Sequence, residues 1–283
     1  MKNIKKTLQE YKRKPFSFLG MILINLGAIL TVAIMLFIVA YILIKGIPNL
    51  TPELFVWDYN AKNVSMLPSI VNTLIMTFLT LLIAVPIGIF SAVYLVEYAK
   101  RGSRLVYVIR ITTETLAGIP SIVYGLFGFL AFVIAMGWSY SLIAGALTLA
   151  IMVLPTIIRT TEEALLAVPD TYREGSFGLG AGKLRTVFRI IIPAAMPGIL
   201  AGVILSIGRI VGETAALIFT AGTVADVPNS LFASARTLSV HMYCLLSEGL
   251  YTDQAYATAV VLLITVVGIN ALSNYVAKRL TKI

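Results

Sequence analysis

From Glu174 to Pro193 the chain reads E-G-S-F-G-L-G-A-G-K-L-R-T-V-F-R-I-I-I-P, a polar, glycine-rich loop set between two long apolar stretches. The stretch before it, Thr115–Ile158, contains no Lys, Arg, Asp or Glu. The stretch after it, from about Pro193 to Gly222, is interrupted only by Arg209 and Glu213. Further uncharged runs are Pro15–Ile44, Asn63–Val96 and Gln254–Ala277. At 1.5 Å per residue, a helix of about 20 residues crosses a hydrocarbon core of roughly 30 Å. With 59% hydrophobic and 12% charged residues, this chain of 283 is too apolar for a soluble domain. The pattern predicts an all-α integral membrane protein with about six transmembrane helices. Thr115–Ile158 supplies two of them, joined by a tight turn near Gly137-Trp138-Ser139.

Lys and Arg set the orientation, because cytoplasmic loops carry their excess. Lys2, Lys5, Lys6, Lys12, Arg13 and Lys14 form a basic arm over residues 1–17. Lys100, Arg101, Arg104 and Arg110 lie in the second loop, and Arg159, Arg173, Lys183, Arg185 and Arg189 in the fourth. Lys278, Arg279 and Lys282 end the chain, whereas the opposite side holds only Lys45, Lys62 and Arg236. Both termini are therefore expected in the cytoplasm, with residues 18–283 forming one membrane domain. Its main cytoplasmic loop covers about 160–192 and its main outer loop about 223–253. Trp57 and Trp138 fall on the outer side, at interfacial positions.

The same bias accounts for the +9 net charge, so no nucleic-acid partner is expected. The first apolar run is too long for a secretory signal and lacks a small-x-small exit, so it reads as an uncleaved anchor. Cys244 is the sole cysteine and has no partner for an intrachain disulfide. In the outer loop, Leu231, Ala235, Leu238, Met242 and Leu245 recur at threes and fours, as on one face of an amphipathic helix at the surface or in the outer mouth. Pro86, Pro120 and Pro155 are expected to kink helices, and Pro193 and Pro197 to open the fifth.

The polar loop resembles the coupling loop of importer-type permeases of ATP-binding-cassette transporters, whose pattern is E-A-A-x3-G-x9-I-x-L-P. Glu174, Gly180, Ile190 and Pro193 fall in register; Gly175, Ser176 and Ile192 depart from Ala-Ala and Leu. The resemblance implies the MetI-like permease architecture and a short helix seated in a groove of a separate ATPase subunit. Gly175-Ser176 lowers the helix propensity of that segment relative to Ala-Ala.

Charges inside a membrane are costly and usually face a cavity or a partner, so Arg209 and Glu213 are candidate path residues. At i and i+4 of one helix they would share a face, either lining a path or pairing with each other. Arg110 and Glu114 repeat the R-x3-E-T spacing and are weaker candidates. An arginine fork donates paired hydrogen bonds to phosphate oxygens. A neighbouring carboxylate limits how tightly an anion is held and accepts a hydrogen bond from a protonated oxyanion, which ionised sulfate cannot donate. Gly198/Gly202 and Gly208/Gly212 are G-x3-G pairs. The first reads as helix packing, and the second leaves packing and substrate contact open.

R-x-x-G-E-T-A at Arg209–Ala215, followed by Thr220-Ala221, is similar to the fifth-helix signature of phosphate-specific ABC importer permeases. G-I-P-S-I-V-Y-G-L-F-G at Gly118–Gly128 and V-P-D-T-Y-R-E-G-S before the loop share that likeness, closer to the A-type chain than to the C-type. The resemblance implies an inward phosphate permease working beside a related C-type permease. Two ATPase subunits holding ATP and Mg, and an extracytoplasmic phosphate-binding protein, complete the implied assembly in the inner membrane. No cofactor is expected in this chain. Gly178–Lys183 superficially resembles a phosphate-cradling loop, but Leu184 stands where Ser or Thr is needed and Phe177 where Gly is needed. With no H-E-x-x-H, cysteine pair or nucleophile elbow, the chain is not expected to be an enzyme. Sulfate, molybdate or another solute would use the same loop. A motor-independent anion channel would not need it.

Overall fold

The computed structural model describes residues 15–100 and 102–280. The arm cations Lys2–Lys14, together with Arg101 and Lys282, lie outside the described residues. Helix α1 (Pro15–Gly46) begins inside the stretch expected as the arm. After two short 3-10 turns come α2 (Leu67–Val93) and α3 (Arg104–Ala117), then α4 (Ser121–Gly128) and α5 (Leu142–Leu166). The polar loop contributes α6 (Asp170–Gly178) and α7 (Lys183–Thr186). Next come α8 (Ile192–Gly212) and α9 (Ala215–Thr220), and then α10 (Leu238–Glu248) and α11 (Thr252–Leu280). No strand occurs among the described residues.

Five helical segments are long and apolar enough to cross a membrane, the fourth being Lys183–Gly212. The sixth crossing differs from expectation. Arg104–Ala117 and Ser121–Ala135 meet at an angle of 105°, so α3 and α4 form a bent pair. Pro120 sits at the break itself, because a proline disfavours helical geometry in the residue before it. Pro86 and Pro155, by contrast, lie within the continuous α2 and α5. The tight turn does fall at Gly137–Ser139, where both residues have positive φ (67° and 55°).

Pro193 stands in the first turn of α8, as expected, whereas Pro197 lies inside that helix. The whole helical span starts ten residues before Pro193, at Lys183, and a π turn at Val187–Ile191 immediately precedes α8. A wide turn there leaves room for a proline ring and frees a carbonyl that has no N–H to meet.

Helix α5 is the most buried of the spans and the axis of the bundle. Around it lie an inner apolar cluster containing Leu165, Val187 and Ile191, and a middle one with Met76, Leu149 and Leu217. An outer cluster joins Leu54, Met66, Leu238 and Leu245. The inner cluster roots the polar loop in the membrane bundle. At Gly202 a Cβ would come within 1.9 Å of Thr160 Oγ1, so α5 and α8 approach each other backbone to side chain. The packing reading of Gly198/Gly202 holds. Gly212 has nothing within 4 Å, and at Gly208 the nearest atom is Asn270 Nδ2 at 3.7 Å, so that second pair is not a close-packing site. Helix α1 leaves Leu23, Leu30, Phe37 and many other apolar side chains exposed. Such a surface is lipid-facing in a membrane protein.

The outer loop is helical over less of its length than the periodicity predicted. Residues 231–237 are not helical, and α10 starts at Leu238, after an extended Thr237. Leu238, Ser239, Val240 and His241 are all fully buried, so the start of α10 folds into the outer mouth.

Candidate substrate path and coupling surface

Helix α8 ends at Gly212, one residue short of Glu213. Glu213 is extended (φ −72°, ψ 129°), so it does not share a helical face with Arg209. Its carboxylate turns onward instead: Oε1 accepts a hydrogen bond from Ala216 N at 3.1 Å, capping the first turn of α9. The Glu213 backbone carbonyl accepts from Ser239 Oγ at 2.6 Å, which ties the break to the buried start of α10. Glu213 is 8% exposed, and no ion pair links it to Arg209.

Arg209 is half-buried near the end of α8, and no hydrogen bond or ion pair to it occurs among the described residues. Tyr124, at the start of α4, lies within electrostatic reach of its guanidinium. The Tyr124 hydroxyl donates to Leu116 O at 2.7 Å, closing the α3–α4 bend. Two chain breaks therefore meet around Arg209, one before α4 and one before α9. At Gly125 a Cβ would approach Ala216 Cα to 2.8 Å, so glycine is what allows the two broken segments to touch.

Arg110 and Glu114 sit elsewhere, on α3. Arg110 forms an ion pair with Glu162 of α5. Glu114 is exposed, and Arg159 of α5 pairs with Glu163, one turn on, at 3.0 Å. No hydrogen bond or ion pair brings this second Arg/Glu pair to the first.

The polar loop forms a compact helix-turn-helix. Gly180 occupies the turn with φ 80°, a left-handed conformation natural to glycine. Ser176 is the buried side chain of α6 and its hydroxyl meets Thr186 Oγ1 at 2.8 Å, so the departure from Ala is used to lock α6 against α7. At Gly175 a Cβ would meet nothing within 4 Å. Glu174 is exposed, Ile190 half-buried and Pro193 exposed. Leu179 at the tip is 91% exposed, and Tyr172, Phe177 and Leu184 are also exposed. An apolar tip on a polar loop is a surface built to be covered.

Arg173 anchors this unit, a role that its place among the loop cations does not reveal. Its Nη2 and Nε meet Glu97 Oε1 at 2.7 and 3.1 Å, and it donates to the carbonyls of Val168 (2.9 Å) and Leu165 (3.0 Å). Glu97 belongs to the π turn Tyr94–Tyr98 that ends α2. Lys183 lies 4.9 Å over the Tyr98 ring. The loop is thus fastened to α2 and α5 by buried charge as well as by apolar packing.

Comparison with known proteins agrees with this architecture. Residues 84–282 match the family model for binding-protein-dependent transport system inner membrane components. The chain is 33% identical over 276 residues to the probable ABC transporter permease protein YqgI of Bacillus subtilis, covering 91% of this chain and 94% of that one. It is 38% identical over 214 residues to phosphate transport system permease protein PstA 1 of Mycobacterium tuberculosis, covering 74% and 70%. Its fold matches a chain of a bacterial alginate ABC transporter with a TM-score of 0.68 at 18% identity, covering 91% and 95%. A bundle of apolar spans carrying a rooted helix-turn-helix, matched along most of its length, makes this chain a multi-pass inner-membrane protein that belongs to the family of binding-protein-dependent transport system inner membrane components.

Proposed function

We propose that the chain is the permease subunit of an ATP-driven importer that carries inorganic phosphate into the cytoplasm by alternating access. The observation that carries this reading is Arg209, a half-buried intramembrane cation with no ion-pair partner, placed where two broken helices meet. An unpaired arginine at membrane depth calls for an anion. With Glu213 turned toward α9, the guanidinium fork is left available to phosphate oxygens. The likeness to PstA 1 points to the same substrate. Arg110 and Glu114 line the inner end of the same route, beside the charged row on α5. The assembly comprises a related C-type permease, two ATPase subunits that hold ATP and Mg, and an extracytoplasmic phosphate-binding protein.

The test is uptake of labelled phosphate by the complete assembly in vesicles, with a hundredfold excess of sulfate as competitor. Phosphate uptake that needs ATP and resists sulfate is the expected result. Equal uptake of both anions would remove phosphate as the selected substrate, and flux without ATP would mark a channel.

The exposed apolar tip around Leu179 is where the ATPase subunit docks. Gly180→Trp forces an L-residue into a left-handed turn, at a cost of about 1–2 kcal/mol, and puts an indole beside that tip. Membrane insertion should be normal while ATPase recovered on the purified permease drops at least fivefold. Undiminished co-purification would count against the docking assignment.

A further inference from the structure

At the cytoplasmic end of the bundle, the end of α2, the start of α3 and the helix-turn-helix surround a cavity of about 560 Å³. Its wall holds Lys100, Arg110, Arg173 and Lys183 against only Glu97 and Asp170. Two of these cations are already matched. Arg110 pairs with Glu162, and Arg173 holds both Glu97 and Asp170. Lys100 and Lys183 are exposed, and neither has a carboxylate partner among the described residues. Lys183 rests over the Tyr98 ring at 4.9 Å, a contact that leaves its charge uncompensated.

At Leu95 this cavity adjoins an apolar groove of about 370 Å³, lined also by Phe90, Ser91, Tyr94, Ile109 and Ile158. Phe90, Ser91 and Tyr94 belong to the apolar span Leu67–Tyr98, and Phe90 and Tyr94 are exposed. On α5 the cavity touches Leu166 and the groove touches Ile158, eight residues or about 12 Å nearer the middle of the membrane. Unpaired cations at headgroup level, with an apolar groove leading inward from them, fit a molecule with an anionic end and a hydrocarbon chain. A free anion would meet the lysines and leave the groove bare. An acidic side chain of a soluble subunit cannot follow the groove into the bilayer. The cytoplasmic leaflet supplies acidic phospholipids, and basic pockets between helices on that side take their headgroups.

We propose that cavity and groove form a site for one acidic phospholipid of the cytoplasmic leaflet. Its phosphodiester is held by Lys100 and Lys183, and an acyl chain lies along Phe90, Ser91 and Ile109. Lys100 precedes α3 and Lys183 opens α7, so the headgroup joins the α2–α3 link to the helix-turn-helix. The lipid is a further tie between that unit and the bundle, beside the Arg173–Glu97 pair. The site is independent of the solute that the permease carries.

The test is lipid retained by the purified assembly, counted by native mass spectrometry after equilibration with equal amounts of phosphatidylglycerol and phosphatidylcholine of identical chains. Wild type should retain phosphatidylglycerol over phosphatidylcholine at least fivefold. Lys100→Gln with Lys183→Gln should lower that preference at least threefold. Equal retention of the two lipids by wild type, or an unchanged preference in the lysine variant, would overturn the proposal. Where the double variant does not assemble, Lys100→Gln alone decides: a loss of at least twofold is expected, and none would overturn it. Ser91→Phe fills the groove and leaves both lysines, so it should weaken retention of phosphatidylglycerol at least threefold. Glycerol phosphate, the headgroup chemistry without chains, should displace little of the lipid at equal concentration. Ready displacement by glycerol phosphate, with Ser91→Phe behaving as wild type, would mark a soluble-anion site and overturn the lipid assignment.

Discussion

Replacing Arg209 with glutamine should cut phosphate uptake by roughly 100- to 1,000-fold in an assembly that forms normally. A guanidinium contributes two charge-assisted hydrogen bonds to an oxyanion, each about 1.5–3 kcal/mol, and a tenfold change costs about 1.4 kcal/mol. Glutamine keeps a polar group of similar reach but has no charge and no fork. Because no ion pair or hydrogen bond to Arg209 occurs among the described residues, the substitution strands no buried carboxylate, and folding should be spared. The measurement is initial uptake rate beside co-purification of the other subunits. Uptake within twofold of wild type would reduce Arg209 to scaffolding.

The second large effect should come from Arg173→Ala. That change removes a guanidinium 16% exposed from a carboxylate 9% exposed, and leaves Glu97 buried without its partner. Breaking a pair of this kind costs on the order of 3 kcal/mol. The greater consequence is mechanical. Arg173 is the side chain through which α6 grips the end of α2 and the carbonyls at the end of α5. Without it, movement of the ATPase should no longer reach the bundle. We expect ATP hydrolysis to persist while its stimulation by phosphate-loaded binding protein falls at least fivefold. A double-mutant cycle with Glu97→Ala in thermal unfolding should give a coupling energy above about 1 kcal/mol. Additive effects would show that the pair transmits nothing.

Much of this was legible from residue pattern. The uncharged runs located the spans, and the polar, glycine-rich stretch from Glu174 to Pro193 located the helix-turn-helix between α5 and α8. Local breaks inside apolar runs were harder. Arg209–Thr220 reads as one continuous helix by hydropathy, yet Glu213 takes an extended conformation. A carboxylate three residues ahead of Ala216 N is a capping arrangement, and that was the available signal. In the same way Thr237 marked the true start of α10, while the leucine periodicity upstream of it misled. The Arg173–Glu97 pair had no such signal. Its members are 76 residues apart, and only the assembled bundle brings them together. Nor could the burial of Arg236 be seen in advance, because an exposed outer-loop arginine and a buried one have the same sequence.

The bend between α3 and α4 bears on how the chain is made. Ser121–Gly128 (8 residues) and Phe129–Ala135 (7 residues) together extend at most about 22 Å, short of the roughly 30 Å that a segment needs to settle alone in lipid. The preceding α3 carries Arg104, Arg110 and Glu114 and gives no extra apolar length. An insertion machinery reading the nascent chain residue by residue therefore has little reason to retain α4 by itself. It has every reason to retain α4 together with α5, 25 residues long and joined to it by the tight turn at Gly137–Ser139. The two should enter the membrane as a hairpin, committed only once synthesis has passed Leu166. Until then the segment that carries Tyr124 toward Arg209 should stay at the surface, so the meeting of the two chain breaks should be completed late in translation.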